Sequence, residues 1–305
     1  MRIRILDLDG SLVDQPAVCS RLATGRAELL QLRSHGPKLR LWATRSAYDA
    51  FDAFWRSLPS APDPTLMLMG SGDFHHLTAS FLATAPGPLT VVHFDNHPDW
   101  CKSVPRRHCG SWVNEALAMP HVRRVVTIGP CSADLQRPDR KCASFQALSD
   151  GRLEVHPWQQ PPSRVRKPVH SGAGHVAEDG HIRWNNLSET GWSGFLDDLL
   201  ERLPTPRIWI TVDKDVLSPT EAVTNWDQGR LPLDHVIEAI GRLAAEFEIV
   251  GADICGDYAP VRHRNPFKYV ESRLDQPRQA GGRALEVNAR TNERLIEAFE
   301  AALCP

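Results

Sequence analysis

Two short runs of this chain, Leu89–Phe94 (Leu-Thr-Val-Val-His-Phe) and Arg207–Val212 (Arg-Ile-Trp-Ile-Thr-Val), are apolar almost continuously rather than at every second residue. A strand with one wet face alternates. One that is apolar throughout must be covered on both sides, as in a parallel sheet clad by helices. Further β-rich runs lie at Arg2–Leu8, Leu39–Ala43, Thr65–Met69, Arg123–Ile128, Leu153–His156 and Phe247–Ile254. Between them, Ala17–Arg33, Ala47–Leu58, Leu233–Ala245 and Thr291–Leu303 carry apolar residues at three- and four-residue steps, the period of a helix packed on one side. The alternation predicts an α/β fold: a three-layer αβα domain with a mostly parallel central sheet of about eight strands. Two Gly/Pro/Ser-rich stretches, about Pro157–Gly191 and Pro260–Arg283, read as loops, either functional rims or plain surface excursions.

With 305 residues, 42% hydrophobic and 24% charged, and a formal net charge of -2, the chain has the profile of an ordinary soluble globular protein, read here as a single domain over 1–305. No run approaches the roughly 18 apolar residues of a membrane span, and the acid Asp7 comes too early for a signal peptide, so a cytoplasmic location is expected. Seven scattered cysteines without a CxxC pair indicate neither a disulfide framework nor a thiolate zinc site. The absence of a basic stripe or a heptad pattern argues against nucleic acid and coiled coils.

Charge concentrates where the apolar runs stop. Leu89–Phe94 leads into Asp95-Asn96-His97-Pro98-Asp99, and Arg207–Val212 into Asp213-Lys214-Asp215. In extended backbone alternate residues share a face, so Asp95, His97 and Asp99 project together, as do Asp213 and Asp215. Unpaired buried charges of one sign would cost several kcal/mol each, an order-of-magnitude figure, and a cation removes that cost. A third run, Thr65–Met69, ends in Gly70-Ser71-Gly72-Asp73-Phe74-His75-His76. In an open parallel sheet ligands gather at the carboxyl ends of strands, where all three motifs fall. Taken singly, a histidine is an ordinary core or surface residue and an Asp-x-Asp an ordinary cap or turn. Together, four carboxylates and two imidazoles make a donor set suited to manganese-like ions.

At these residues the chain resembles the arginase/agmatinase (ureohydrolase) family, whose Gly-Gly-Asp-His, Asp-Ala-His-x-Asp and Ser-x-Asp-x-Asp segments occur in the same order. The counterparts here are Gly72-Asp73-Phe74-His75, Asp95-Asn96-His97-Pro98-Asp99 and Thr211-Val212-Asp213-Lys214-Asp215. The resemblance implies an arginase-like fold and two Mn²⁺ ions per chain. His75, Asp95, Asp99 and Asp213 would hold one ion, and Asp95, His97, Asp213 and Asp215 the other, with Asp95 and Asp213 bridging. His75 is taken as the ligand over its neighbour His76. Arg106-Arg107-His108-Cys109-Gly110 is similar to the family's His-Gly segment, which makes His108 the residue that relays protons beside the metals. The implied activity is hydrolysis of a C–N bond in a guanidino or amidino compound, a small molecule or a peptidyl group. Apart from that substrate, the partners considered are further copies of the chain as a homo-oligomer, with no nucleic acid and no membrane.

The chain also departs from the family. After Phe247–Ile254 the family has a Glu-x-Asn-Pro-like segment whose glutamate grips the guanidinium; here the order is Asp253-Ile254-Cys255-Gly256-Asp257, and Asp257 is the nearest replacement. Lys102, Arg106 and Arg107 follow Asp99, suiting an acidic or larger substrate or simply a solvated surface, and free L-arginine drops in rank. Trp226-Asp227 is a candidate recognition wall or a structural plug. Lys214 is expected to face away from the metal acids and to pair with another carboxylate. Two other activities compete. Asp7-Leu8-Asp9-Gly10 resembles the opening motif of haloacid-dehalogenase-like, Mg²⁺-dependent phosphatases, with Asp7 as nucleophile and Asp9 as acid/base, though that reading leaves His75 and His97 idle. A single-zinc deacetylase of similar fold would not need both ligand sets. A non-catalytic metal-dependent binding protein is the remaining alternative.

Overall fold

The computed structural model describes residues 1–59, 63–102, 106–260, 263–277 and 281–303. Eight strands form the central sheet: β1 (Arg2–Asp7), β2 (Ala27–Gln31), β3 (Thr65–Leu68), β4 (Leu89–Phe94), β5 (Val122–Ile128), β6 (Leu153–His156), β7 (Arg207–Asp213) and β8 (Glu248–Cys255). Their spatial order is β2-β1-β3-β8-β7-β4-β5-β6, and every neighbouring pair is parallel.

Helices clad both faces, as continuously apolar strands require. The longer ones are α1 (Pro16–Ala23), α2 (Arg45–Ser57), α3 (Trp112–Ala118), α4 (Trp192–Arg202), α5 (Leu233–Glu246), α6 (Pro266–Asp275) and α7 (Ala284–Leu303). On one face Phe51 and Trp55 of α2 and Trp112 of α3 pack with Met67 and Trp209. On the other, Leu196 of α4, Ile240 of α5 and Phe299 of α7 pack with Ile210 and Val212. No helix among the described residues is long and apolar enough to cross a membrane.

The order has a chemical consequence. Strands β3, β8, β7 and β4 are successive neighbours at the middle of the sheet, so motifs far apart in sequence leave adjacent strand ends. Val212 pairs with Phe94, and Asp213 with Cys255.

Three expectations about elements are corrected. Ala17–Arg33, expected as one helix, splits at Thr24-Gly25, where Gly25 takes φ +69 and stops α1; Ala27–Gln31 then becomes edge strand β2. Its Glu-Leu-Leu-Gln composition favours helix, and pairing with β1 overrides that preference. Leu39–Ala43 supplies no strand to the main sheet: Gly36–Leu39 is a helical turn, and Trp42–Ala43 pairs antiparallel with Arg107–His108. The stretches read as loops contain a small antiparallel sheet (Ser163–Arg164, His175–Glu178, His181–Trp184) and helix α6. The signal for α6 was present in Asn265-Pro266: the Asn265 side chain accepts hydrogen bonds from the Phe267 and Lys268 amides, and Pro266 occupies the first turn.

Candidate metal centre

A cavity of about 500 Å³ opens over the carboxyl ends of the central strands, with His75, Asp95, His97, Asp99, Asp213 and Asp215 all in its lining. His75 Nδ1 lies 3.1 Å from Asp95 Oδ2, 3.1 Å from Asp99 Oδ2 and 3.6 Å from Asp213 Oδ2. His97 Nδ1 lies 3.0 Å from Asp215 Oδ2 and 3.5 Å from Asp95 Oδ1. Three donor groups result among the described residues: His75–His93–Asp95–Asp99 and Asp95–His97–Asp215, which share Asp95, and His75–Asp213–Cys255.

Local backbone sets this convergence. Gly72 and Gly256 close on Asp213 from two sides: a Cβ on Gly72 would lie 2.5 Å from Asp213 Oδ2, and one on Gly256, at φ +91, 2.4 Å from Asp213 Oδ1. Neither position has room for a side chain. Asp99 itself adopts φ +46, an uncommon conformation for a non-glycine residue, and its carboxylate is held by the Trp112 indole N–H at 2.7 Å.

The partners of the two imidazoles fix their tautomers. Thr211 Oγ1 donates to Asp253 Oδ1 at 2.6 Å, so toward His75 Nε2, 2.9 Å away, it can only accept. A proton therefore sits on His75 Nε2, and the buried Nδ1 makes no hydrogen bond and is turned to the Asp95 and Asp99 carboxylates. Likewise Asp227 Oδ1 accepts the His97 Nε2–H at 2.9 Å, which leaves Nδ1 facing Asp215. Imidazoles oriented by a second acceptor are the usual arrangement around bound metals.

Electrostatics gives the same answer. Burial and the Asp95 charge push the Asp99 carboxyl up to about 6. Burial together with Asp213 and Asp95 lifts Asp215 well above the carboxylate range, and burial with Asp95 raises Asp213. Burial would raise Asp95 too, but the neighbouring His75 and His93 rings outweigh it and hold its carboxyl well below the ordinary value. In turn, against the burial that would lower them, Cys255, Asp95 and Asp99 hold His75, and Asp215, Asp227 and Asp95 hold His97, well above the ordinary imidazole value; the crowded carboxylates thus draw positive charge, and hard oxygen donors with two imidazoles fit a divalent cation of the manganese kind.

Other site residues fall differently. His75, and not His76, faces the carboxylates; His76 is buried against Tyr48. His108 lines the cavity, and its Nδ1 accepts the Gly110 amide at 3.0 Å. Asp257 does not reach the cavity: it is 1% exposed, with Oδ2 2.7 Å from Lys214 Nζ and Oδ1 accepting from Gln15 and Asn292. It is thus the carboxylate that pairs with Lys214, and the expectation that it grips substrate is corrected. Lys102 and Arg106 do line the cavity, whereas Arg107 turns away to pair with Glu115 and cover Tyr48. At the amino-terminal motif, Asp7 pairs with Arg33 at 2.7 Å and Asp9 accepts from Ser11 and Ser71. Both are structural caps at the end of β1, outside the cavity lining.

Sequence reading missed His93 and the role of Asp227. His93 Nε2 is 2.9 Å from Asp95 Oδ2. It stands two residues before Asp95 in a strand, so the same alternation that grouped Asp95 with His97 points to it. Asp227, read with Trp226 as a recognition wall or a structural plug, instead orients His97, a contact across the fold that no local pattern displays.

No protein-family model matches the chain. An uncharacterized protein of Thermotoga maritima is 26% identical over 193 residues, which span 63% of this chain and 58% of that protein. Among solved structures, arginase from Bacillus subtilis matches 98% of this chain and 97% of its own at 14% identity, with a TM-score of 0.58. The chain has the ureohydrolase fold. Proclavaminate amidino hydrolase from Streptomyces clavuligerus (20% identity, 85% of this chain and 71% of that one, TM-score 0.54) and formimidoylglutamase from Bacillus subtilis (14%, 98% and 87%, TM-score 0.56) also share it. At these identities this is a divergent ureohydrolase-fold protein, with a buried His/Asp cluster at the strand ends.

Proposed function

We propose that the protein is a binuclear manganese hydrolase that cleaves a C–N bond of a guanidino or amidino compound. The observation that carries this reading is the pair of imidazoles, His75 and His97, each turned by an outer acceptor so that Nδ1 faces buried carboxylates. His75, Asp95, Asp99 and Asp213 would hold one ion and Asp95, His97, Asp213 and Asp215 the other. Ions at these positions would supply Lewis-acid activation and water acidified toward neutral pH. The chain's own residues do the rest. Asp227 and Thr211 keep the imidazoles oriented, and Trp226 walls the site edge-on to His97 and His108. His108 carries its proton on Nε2, because Nδ1 accepts the Gly110 amide, so Nε2–H is the group that can protonate a departing amine.

Free L-arginine is not the expected substrate, since the Asp257 carboxylate after β8 is buried against Lys214 instead of facing the cavity, and Lys102 and Arg106 line it. The test is a panel of guanidines and amidines offered to manganese-loaded protein, with release of urea or ammonia as readout. No turnover of any of them would sink the hydrolase reading. Elemental analysis of that protein should find close to two manganese ions per chain, the number of ion positions proposed here; reproducible saturation at one would remove the binuclear claim. Replacing His108 by Ala should lower kcat about 100-fold, toward the lower end for a general acid, with metal content unchanged. An unaltered kcat would take His108 out of the proton path.

A further inference from the structure

The cation grip that β8 lacks has to come from elsewhere in the cavity. Four carboxylates line it outside the metal cluster: Asp134, Asp227, Glu271 and Asp275. Asp227 is committed to His97 and Asn96, and Asp134 to Lys141 at 2.7 Å. Glu271 and Asp275 remain. They lie one turn apart on α6, so both project to the same side of the helix. Glu271 is held by one oxygen only: Oε2 accepts the Trp42 indole N–H at 2.7 Å, while the nearest imidazole nitrogen to Oε1 is His108 Nε2 at 3.8 Å and Arg106 stands 3.7 Å from Oε2. Asp275 makes no hydrogen bond or ion pair with any described residue; burial raises its carboxyl, His108 opposes, and the Glu271 charge adds to the rise. At the floor of the same cavity the buried Nδ1 of His75 makes no hydrogen bond.

We infer that Glu271 and Asp275 of α6 form the grip for the planar cation of the substrate, taking the role that the glutamate after the last strand plays in the ureohydrolases this chain resembles. The inference rests on the guanidine-hydrolase reading above and deepens it. Fixing Oε2 by Trp42 leaves Oε1 preorganised toward the His108 side of the cavity, where the departing amine would form. A guanidinium or amidinium has N–H donors in one plane to offer both carboxylates, and the Trp226 ring in the lining gives its flat face an aromatic neighbour, the Trp42 ring being covered by Arg106 and Lys268. The substrate class is thus a cation read from the helix side of the pocket, by residues of a segment that the sequence shows as a loop.

The probe is phenylguanidine, titrated calorimetrically into manganese-loaded protein, with neutral phenylurea as control. Glu271→Gln retains an acceptor for Trp42 and Asp275→Asn changes one exposed-side oxygen, so both should fold, which thermal melts check. Each variant should weaken phenylguanidine at least tenfold and raise KM for the best guanidine substrate more than it lowers kcat, with phenylurea and manganese content unaffected. Equal affinity in wild type and both variants, or no binding of phenylguanidine by the wild type, overturns the assignment. Charge-dependent binding without turnover of any guanidine would keep the grip and discard the hydrolase. Turnover with kinetics unchanged in both variants would do the reverse.

Discussion

Asp95→Asn should strip both metal positions and reduce turnover below detection. Asp95 is the residue that joins the His75–His93–Asp95–Asp99 donor group to the Asp95–His97–Asp215 group. Its two oxygens are already divided: Oδ1 accepts the His97 amide at 2.6 Å, and Oδ2 sits 2.9 Å from His93 Nε2 and 3.1 Å from His75 Nδ1. An asparagine would keep Oδ1 for the His97 amide and turn its NH₂ toward His75 and His93, placing a donor where a cation should lie. It also removes the negative charge that would neutralise two ions. Loss of an outer-shell partner costs about 10- to 100-fold in metal affinity, and a shared inner ligand should exceed the upper figure. A second readout separates this from misfolding. Without metal, the His75 and His93 rings favour the charged Asp95 and hold its carboxyl well below the ordinary value, so the apo variant should melt below the wild-type apo protein while keeping a cooperative transition. The rise in Tm that manganese gives the wild type, expected from preferential binding to the folded state, should disappear. Asp99→Asn should do less, because Asp99 belongs to one group only. If Asp95→Asn protein still takes up two ions with wild-type affinity, the shared-ligand assignment is wrong.

The sequence made the site more legible than the fold around it, and the reason is physical. Asp95, His97, Asp99, Asp213 and Asp215 sit at the ends of strands that are apolar on both faces, where charge is conspicuous because burying it is costly. Strands β4, β7 and β8 were found within one residue of their ends by the same contrast. What stayed hidden depends on contacts between distant segments. Strand β2 is composed of helix formers and is extended only because β1 offers it an edge. Helix α6 buries little of its length, with Phe267 and Leu274 exposed at 72% and 80%, so its apolar residues mark no core face. Asp257 was misassigned for a related reason: as the nearest carboxylate after the last strand it is visible in sequence, but that Gly256, at positive φ, turns the chain and leaves the carboxylate against Lys214 is not.

That buried carboxylate carries the second large effect, on stability. Asp257 and Lys214 are 1% and 0% exposed and 2.7 Å apart; Lys214 Nζ also donates to Asn292 Oδ1 at 2.8 Å, and Asn292 in turn donates to Gln15 and to Asp257. The backbone at Asp257 donates to Gly70 O, which ties the end of β8 to the turn after β3. This network lies directly behind Asp213 and Asp215, since Lys214 stands between them in the chain. Asp257→Ala would leave the Lys214 ammonium buried without its counter-charge, a change that costs about 3–5 kcal/mol, equivalent to a drop of roughly 5–8 °C in Tm for a domain of this size. Removing both charges together as Lys214→Met with Asp257→Leu should recover much of that loss, because an apolar pair of similar volume avoids the desolvation of either ion. The protein that remains folded should still bind manganese, and KM for its best guanidine should be unchanged, since Asp257 touches no part of the cavity. Thermal unfolding of the single and double variants, with kinetics below their melting range, decides between a strut and a grip: an unshifted Tm together with a raised KM would return Asp257 to the substrate.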